Sequence, residues 1–187
     1  KMECNHGAVS LHHAVEGEIA IGERIVAVND YAGYIEKDWG SSFPEAWVWL
    51  QSSTWSGGIR SAMLSVAKIP FLGRFFIGCL GFVLLEDRLI RFGTYTGAVI
   101  EAVDIGEAAV SITIRNRGER LTFSASGGAG AHLAAPRQGS MDRVITESLE
   151  GVVDLEVRDR SGAAVCSGTG HCSGVEFSDP EILRDAL

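Results

Sequence analysis

Proline and cysteine are scarce in this chain of 187 residues, at four each, and basic residues are outnumbered, 16 lysines and arginines against 24 aspartates and glutamates. The four cysteines, Cys4, Cys79, Cys166 and Cys172, are scattered along the chain. That excludes a disulfide framework and fits a reducing, cytoplasmic compartment. Cys166, His171 and Cys172 are near in sequence, but their spacing matches no zinc pattern and no second ligand pair exists, so no metal is expected. A net charge of −8 excludes a nucleic-acid partner, whose phosphates need a basic face. Long apolar runs are missing too. The longest, Ile69 to Leu85, is broken by Gly73, Arg74, Gly78 and Gly81, and falls short of the ~20 residues of a membrane-spanning helix. No glycine motif follows a strand and opens a helix, which excludes a P-loop or dinucleotide fingerprint, and no cofactor is expected.

What is present is apolar and evenly punctuated. With 46% hydrophobic residues the chain is long enough to bury a core as a single domain over residues 1–187. Short period-two segments follow one another from Ala8 to Val15, through turns at Glu16-Gly17 and Gly22-Glu23, to Arg24 to Val28. Ser61 to Val66 continues the pattern and Ile69 to Gly73 breaks it. Phe76 to Leu85 and Leu89 to Gly97 read as a hairpin across Glu86-Asp87-Arg88. Val99 to Val103, Ala108 to Ile114, Arg120 to Ser126, Val144 to Leu149, Val152 to Asp159 and Ala163 to Gly168 complete the set, with a flexible loop at Gly127 to Gly130. Only Pro180 to Leu187 has a helical character, with Asp179 as its cap. The expected fold is all-β, an antiparallel barrel or sandwich with a short C-terminal helix.

Charge and aromatic area concentrate most densely between Gly33 and Gln51. If residues 33–39 are extended, Tyr34, Glu36 and Asp38 share one face, and Ile35, Lys37 and Trp39 the other. Two neighbouring carboxylates in a partly dry site push one pKa up, and the group that keeps its proton can act as a general acid. After the turn from Gly40 to Pro44, Trp47, Trp49 and Gln51 fall on one face, and indole rings can stabilise a cation. The plainer alternative is a surface carboxylate pair beside core tryptophans.

Three segments carry a resemblance: GYIEKDWGSSFPEAWVWLQ at residues 33–51, CNHGAVSL at 4–11 and LAAPRQGSMDRVITES at 133–148. Together, in this order, they resemble the tocopherol cyclase family, which includes many bacterial members. The resemblance implies a lipocalin-like β-barrel whose interior holds a small apolar ligand, an isoprenoid or lipid. Family members usually carry two such halves, so the chain, which begins at Lys1, is expected to be the C-terminal half, with an N-terminal domain as a partner. The implied reaction is protonation of the trisubstituted alkene of a prenylated quinol, giving a tertiary cation that the phenol oxygen captures. Neither metal nor cofactor is implied. On this reading Asp38 or Glu36 donates the proton and the other tunes it. Tyr34 and His6 join the site, Trp39, Trp47 or Trp49 shields the cation, and Gln51, Arg143 and Glu147 position the hydroxyl. Water as the nucleophile would give hydration instead. The alternatives are a non-catalytic lipocalin-like carrier of a lipid or pigment, and an interaction module that needs its other half to form a pocket.

Other groups have weaker readings. Ser10 and His12 share a strand face and His13 points away, but no nucleophile elbow accompanies them. Arg143, Ile145 and Glu147 share a face, where an Arg143–Glu147 ion pair would fix strand register or orient a phenolic oxygen, with Asp142 outward. Phe71, Phe75, Phe76 and Phe82 read first as core, and otherwise as the rim of a pocket in peripheral contact with a membrane.

Overall fold

Period-two patterning and closely spaced turns make strands almost everywhere in the computed structural model, which describes residues 3–71 and 74–184. In chain order they are β1 (Cys4–Val15), β2 (Glu18–Ile21), β3 (Arg24–Ala27), β4 (Tyr31–Gly40), β5 (Trp47–Ser52), β6 (Ile59–Phe71) and β7 (Arg74–Leu85). Then come β8 (Leu89–Gly93), a 3₁₀ turn at Thr94–Thr96, β9 (Val99–Ile105), β10 (Ala109–Asn116), β11 (Glu119–Ser126), β12 (Ala131–Arg137), β13 (Ser140–Asp159), β14 (Ala164–Ser178) and helix α1 (Glu181–Arg184). No helix among the described residues is long and apolar enough to cross a membrane.

Every ladder is antiparallel. The main sheet has ten strands in the order β8-β7-β6-β5-β14-β13-β11-β10-β9, with β12 on the far part of β13. β1 and β4 form a separate two-stranded ribbon, and β2 and β3 a hairpin. The all-β expectation holds, but the closed barrel is not found: β8 and β9, the two ends of the ladder, share no pairing among the described residues. The sheet nevertheless folds over on itself. Phe92 on β8 meets Phe123 on β11 at 6.1 Å between ring centroids, and both are fully buried.

The central strands are apolar on both faces, which is why the stretch from Ile69 to Leu85 reads as a nearly continuous apolar run. On β5 and β6, Val48, Leu50, Leu64 and Val66 point into the main core with Phe92, Ile112, Leu121 and Leu155. Their neighbours Trp47, Trp49, Ala67 and Ile69 point the other way, into a second apolar cluster with Ala135 and Ile145. The β1–β4 ribbon lies over that second face.

Several segments extend further than the sequence pattern suggests. β6 runs through Ile69 and Pro70 to Phe71; Pro70 pairs with Phe75 near the hairpin end, where a missing N–H is tolerated. Leu72 and Gly73 lie outside the described residues. β13 is one strand of 20 residues where two were expected, and β14 continues ten residues past Gly168 to Ser178. β12 occupies residues with no strand expectation. The helix covers Glu181–Arg184; Pro180, expected as its first residue, stands in the preceding turn, and expected residues 185–187 lie outside those described. Asp179, expected as its side-chain cap, turns its carboxylate toward Arg143, while its carbonyl accepts from the Ile182 N–H.

Phe92→Ala is expected to lower stability by about 3–5 kcal/mol in urea unfolding, because the site is fully buried. The Phe92→Ala/Phe123→Ala double variant should lose less than the sum of the singles, since the two rings share one site. Strict additivity would mean that β8 and β11 do not meet.

Candidate active site

Between the β1–β4 ribbon and the outer apolar face of β7-β6-β5-β14-β13 lies a cavity of about 660 Å³. Its floor comes from alternating residues of the sheet: Trp47 and Trp49 on β5, Ser65, Ala67 and Ile69 on β6, Phe76, Gly78 and Leu80 on β7, Glu147 on β13 and Glu176 on β14. Its roof is His6 from β1 with Tyr34, Glu36 and Asp38 from β4. The cavity therefore lies on the face opposite the main core, and the interior expected to hold the ligand is packed instead with Phe92, Phe123 and aliphatic side chains.

β4 alternates as its sequence implies. Tyr34, Glu36 and Asp38 face the cavity, while Ile35 and Trp39 are about half exposed on the outer side. Glu36 is more enclosed than Asp38, with 10% of its side chain exposed against 36% for Asp38 at the rim. Two hydrogen-bond donors and one ion-pair partner converge on Glu36. Trp49 Nε1 donates to Oε1 at 2.8 Å, the Tyr34 hydroxyl donates to Oε2, and His6 Nε2 makes an ion-pair contact with Oε1 at 2.7 Å. The other ring nitrogen of His6, Nδ1, lies 2.7 Å from Oδ1 of Asp38. Burial alone would lower the pKa of His6. The hydrogen bonds and charges of Asp38 and Glu36 outweigh it and raise the imidazole to about 9, so at neutral pH it is an imidazolium between two carboxylates. Tyr34 is pushed well above the usual phenol range by burial, and further by its hydrogen bond to Glu36.

The opposite wall holds a second acidic pair. Glu176 on β14 and Glu147 on β13 are register partners, and both line the cavity. Trp47 Nε1 donates to Glu176 Oε2 at 2.7 Å. Burial, together with the charges of Glu147, Asp38 and Glu36, raises Glu176 to about 7 against the opposing pull of the Trp47 bond. Trp49, the β5 neighbour of Glu176, lies over Gly174, where a Cβ would come within 2.7 Å of the indole. Glycine there lets the ring sit flat on the sheet.

The structure brings together Tyr34, Glu36, Asp38, His6, Trp47, Trp49 and Glu147 around one cavity. It does not bring three others. Trp39 packs outside the ribbon over Gly7, with Lys37 Nζ 5.6 Å from its ring centroid. Gln51 shares the tryptophan face but lies further along β5, where its amide donates to Ser53. Arg143 makes no pair with Glu147. Its guanidinium binds the Pro44 and Glu45 carbonyls, Ser178 and Asp179, and stacks 4.5 Å over the Trp47 ring, bracing that indole from behind. The carboxylate pair expected at Glu36 and Asp38 has the His6 imidazolium between its members, whose charge offsets part of their mutual repulsion. Glu176 was missed altogether, because the Gly/Ser/Cys-rich stretch from Cys166 to Gly174 obscured the strand that carries it.

Phe82 is buried and stacks on Tyr34, whereas Phe71, Phe75 and Phe76 are exposed, contrary to the core reading, and Phe76 lines the cavity. Two register shifts in β1 put Ser10 against His13 Nδ1 at 2.9 Å, not His12. Neither residue lines the cavity. Among the described residues, His6, Glu36 and Asp38 are the group whose ligand atoms, all within 4.8 Å, could hold an ion. Doing so would require His6 to lose the proton its two carboxylates stabilise, so the donor set favours the ion-paired state. Cys166, His171 and Cys172 form no such group among the described residues.

The three segments that carry the resemblance meet at this site. Residues 4–8 of β1 pair with 36–40 of β4, the Phe43 N–H donates to the Pro136 carbonyl at 2.9 Å, and the Gly139 N–H donates to Ser41 at 2.7 Å. A family model described as tocopherol cyclase-like matches residues 6–178. No curated protein and no solved structure matches the chain.

His6 makes stability pH-dependent in a defined sense. Its pKa is raised by folding from 6.5 to about 9. Its contribution is complete below about pH 6.5 and is lost as pH rises through about 9, an effect on the order of 3 kcal/mol. Urea unfolding between about pH 7.5 and 9.5 should show this decline, and His6→Gln should flatten it. An equally steep decline in the variant would assign the effect elsewhere.

Proposed function

The chain belongs to the tocopherol cyclase-like family, and from that premise we propose that it closes a ring on a prenylated quinol or a related isoprenoid, by proton addition to an alkene. The observation that carries this reading is an apolar cavity whose charged lining is mostly anionic, with Glu36, Asp38, Glu147 and Glu176 facing it alongside two indoles. Such a cavity suits a substrate that is neutral and apolar on entry and cationic at the transition state. Ile69, Phe76 and Leu80 supply the surface for an isoprenoid chain, and the faces of Trp47 and Trp49 can meet the tertiary cation. The hydroxyl that becomes the ring oxygen would dock on the array of Tyr34, Glu36, His6 and Asp38. A lone pair on that oxygen forms the new C–O bond and its proton leaves to a cavity carboxylate, so the reaction is a net isomerisation.

The exposed rings of Phe71, Phe75 and Phe76 lie at one side of the cavity, beside Ile69 and Pro70. In this reading they are the entrance, and peripheral contact of this rim with a membrane would supply a lipid-dissolved substrate.

Incubation of the chain with a quinol bearing a trisubstituted prenyl chain should yield a product of unchanged mass and altered chromatographic retention. A product heavier by one water would identify hydration, and a bound but unaltered quinol would identify a carrier. Asp38→Asn is expected to lower turnover by about 10²-fold or more, because it removes one of the two charges that hold His6 in the array that docks the hydroxyl.

A further inference from the structure

The β13–β14 ladder sets Glu147 directly across from Glu176. Directly opposed side chains on neighbouring antiparallel strands have Cβ atoms about 5 Å apart. Both carboxyls line the apolar cavity, and neither pairs with a lysine or arginine among the described residues. The nearest arginine on the same wall, Arg143, is held by Pro44, Glu45, Ser178 and Asp179. The groups that bear on Glu176 are Glu147 from β13, Glu36 and Asp38 from β4 with their imidazolium partner His6 from β1, and the Trp47 N–H from β5. Two carboxyls opposed in this way on a partly dry wall favour holding one proton between them.

We propose that Glu176, with Glu147 across the ladder, is the acid that protonates the substrate alkene, leaving the array of His6, Glu36, Asp38 and Tyr34 to hold the hydroxyl that closes the ring. This rests on the cyclisation reading above and goes beyond it by separating the two acidic groups into donor and docking site. Two features favour Glu176 over His6 as the donor. Each ring N–H of the His6 imidazolium faces a carboxylate, so giving up either proton breaks one of these contacts and leaves Glu36 and Asp38 with no positive charge between them. The carboxylate formed at Glu176 is already met by the Trp47 N–H, so its charge is received by a fixed donor at 2.7 Å. The acidities agree with this order: Glu176 near 7 and His6 near 9 make the carboxyl about a hundredfold stronger as an acid while it still holds a proton near neutrality.

In the step, the Glu176 O–H bond breaks and the alkene π pair takes the proton at its less substituted carbon. The tertiary cation forms beside the new carboxylate and the indoles. The phenol oxygen then forms the C–O bond, its O–H bond breaks, and that proton returns to Glu176. No oxidant, reductant or other reactant enters.

The test combines turnover with a readout independent of it. In the wild-type chain, kcat for the prenylated quinol should fall as pH rises through about 7. Glu176→Gln should lose about 10²- to 10⁴-fold in kcat with quinol binding retained. Glu147→Gln should move the alkaline limb to lower pH, since removing the opposing carboxylate makes Glu176 easier to ionise; a merely structural role would not shift it. The indole N–H resonance of Trp47 should titrate near pH 7 in the wild type and not in Glu176→Gln. Turnover of Glu176→Gln within about threefold of wild type, an unmoved limb in Glu147→Gln, or a Trp47 titration below about pH 5 each overturns the assignment. A wild-type chain that titrates as expected but does not convert the quinol overturns the cyclisation reading, and the donor role with it. Circular dichroism of each variant separates these results from misfolding.

Discussion

Glu36 is the point on which the cavity depends. Partners from three strands meet its two oxygens: the hydrogen-bond donors Tyr34 from its own strand and Trp49 from β5, and the ion-paired His6 from β1. Hydrogen bonds to an ionised group are worth about 1.5–3 kcal/mol each, enough to hold a two-stranded ribbon that has little stability alone. Because Trp49 belongs to the main sheet and the others to the ribbon, this one carboxylate fixes the height of the roof over the floor. Stacking of Tyr34 on Phe82 at 6.0 Å adds an apolar contact beside it.

The floor can exist only because the central strands are apolar on both faces. A sheet with one polar face would either solvate that side or leave no wall for an apolar ligand. Here β5 and β6 send Val48, Leu50, Leu64 and Val66 to a tightly packed core and Trp47, Trp49, Ala67 and Ile69 to the cavity. Rigidity and vacancy are thus divided between the two sides of one sheet. The packed side anchors the strands, and the strands in turn place the indoles and carboxyls of the other side at fixed spacing. Arg143 extends this scheme, since its guanidinium braces the Trp47 ring from behind and ties the loop at Pro44 and Glu45 to the end of β14.

The parts of this arrangement that were legible in the sequence are those set by simple alternation. The faces of Tyr34, Glu36 and Asp38, and of Trp47 and Trp49, follow from period two within unbroken strands. What alternation could not reveal lies at its interruptions or across the sheet. Register shifts in β1 exchange His12 for His13 as the partner of Ser10. Insertion of His6 between Glu36 and Asp38 requires knowing that β1 pairs with β4, a contact 32 residues apart in sequence between His6 and Asp38. Glu176 follows a run of glycine, serine and cysteine that has weak strand propensity by itself and becomes a strand because β5 and β13 flank it. The alternation of Gly174, Val175, Glu176, Phe177 and Ser178 was the available clue, small or polar against apolar, and it was too short to outweigh the residues before it. The expected Arg143–Glu147 pair failed for a similar reason, since the carbonyls and Asp179 that claim the arginine come from distant segments.

The same carboxylate repulsion that was expected at residues 36 and 38 is therefore realised elsewhere, and its consequence differs. At Glu36 and Asp38 the intervening imidazolium offsets one of the two charges and contacts both carboxylates, so that wall is largely satisfied before any ligand arrives. At Glu147 and Glu176 no lysine or arginine among the described residues does so, and the second charge is disfavoured instead, which is why Glu176 keeps its proton up to about pH 7. An apolar neutral ligand displaces water and disfavours that charge further. A developing positive charge favours it directly. Under the proposed cyclisation, a preference for a cationic transition state over a neutral ground state is what would distinguish a catalyst from a carrier with the same cavity, and it would come from the wall that alternation within β4 did not disclose.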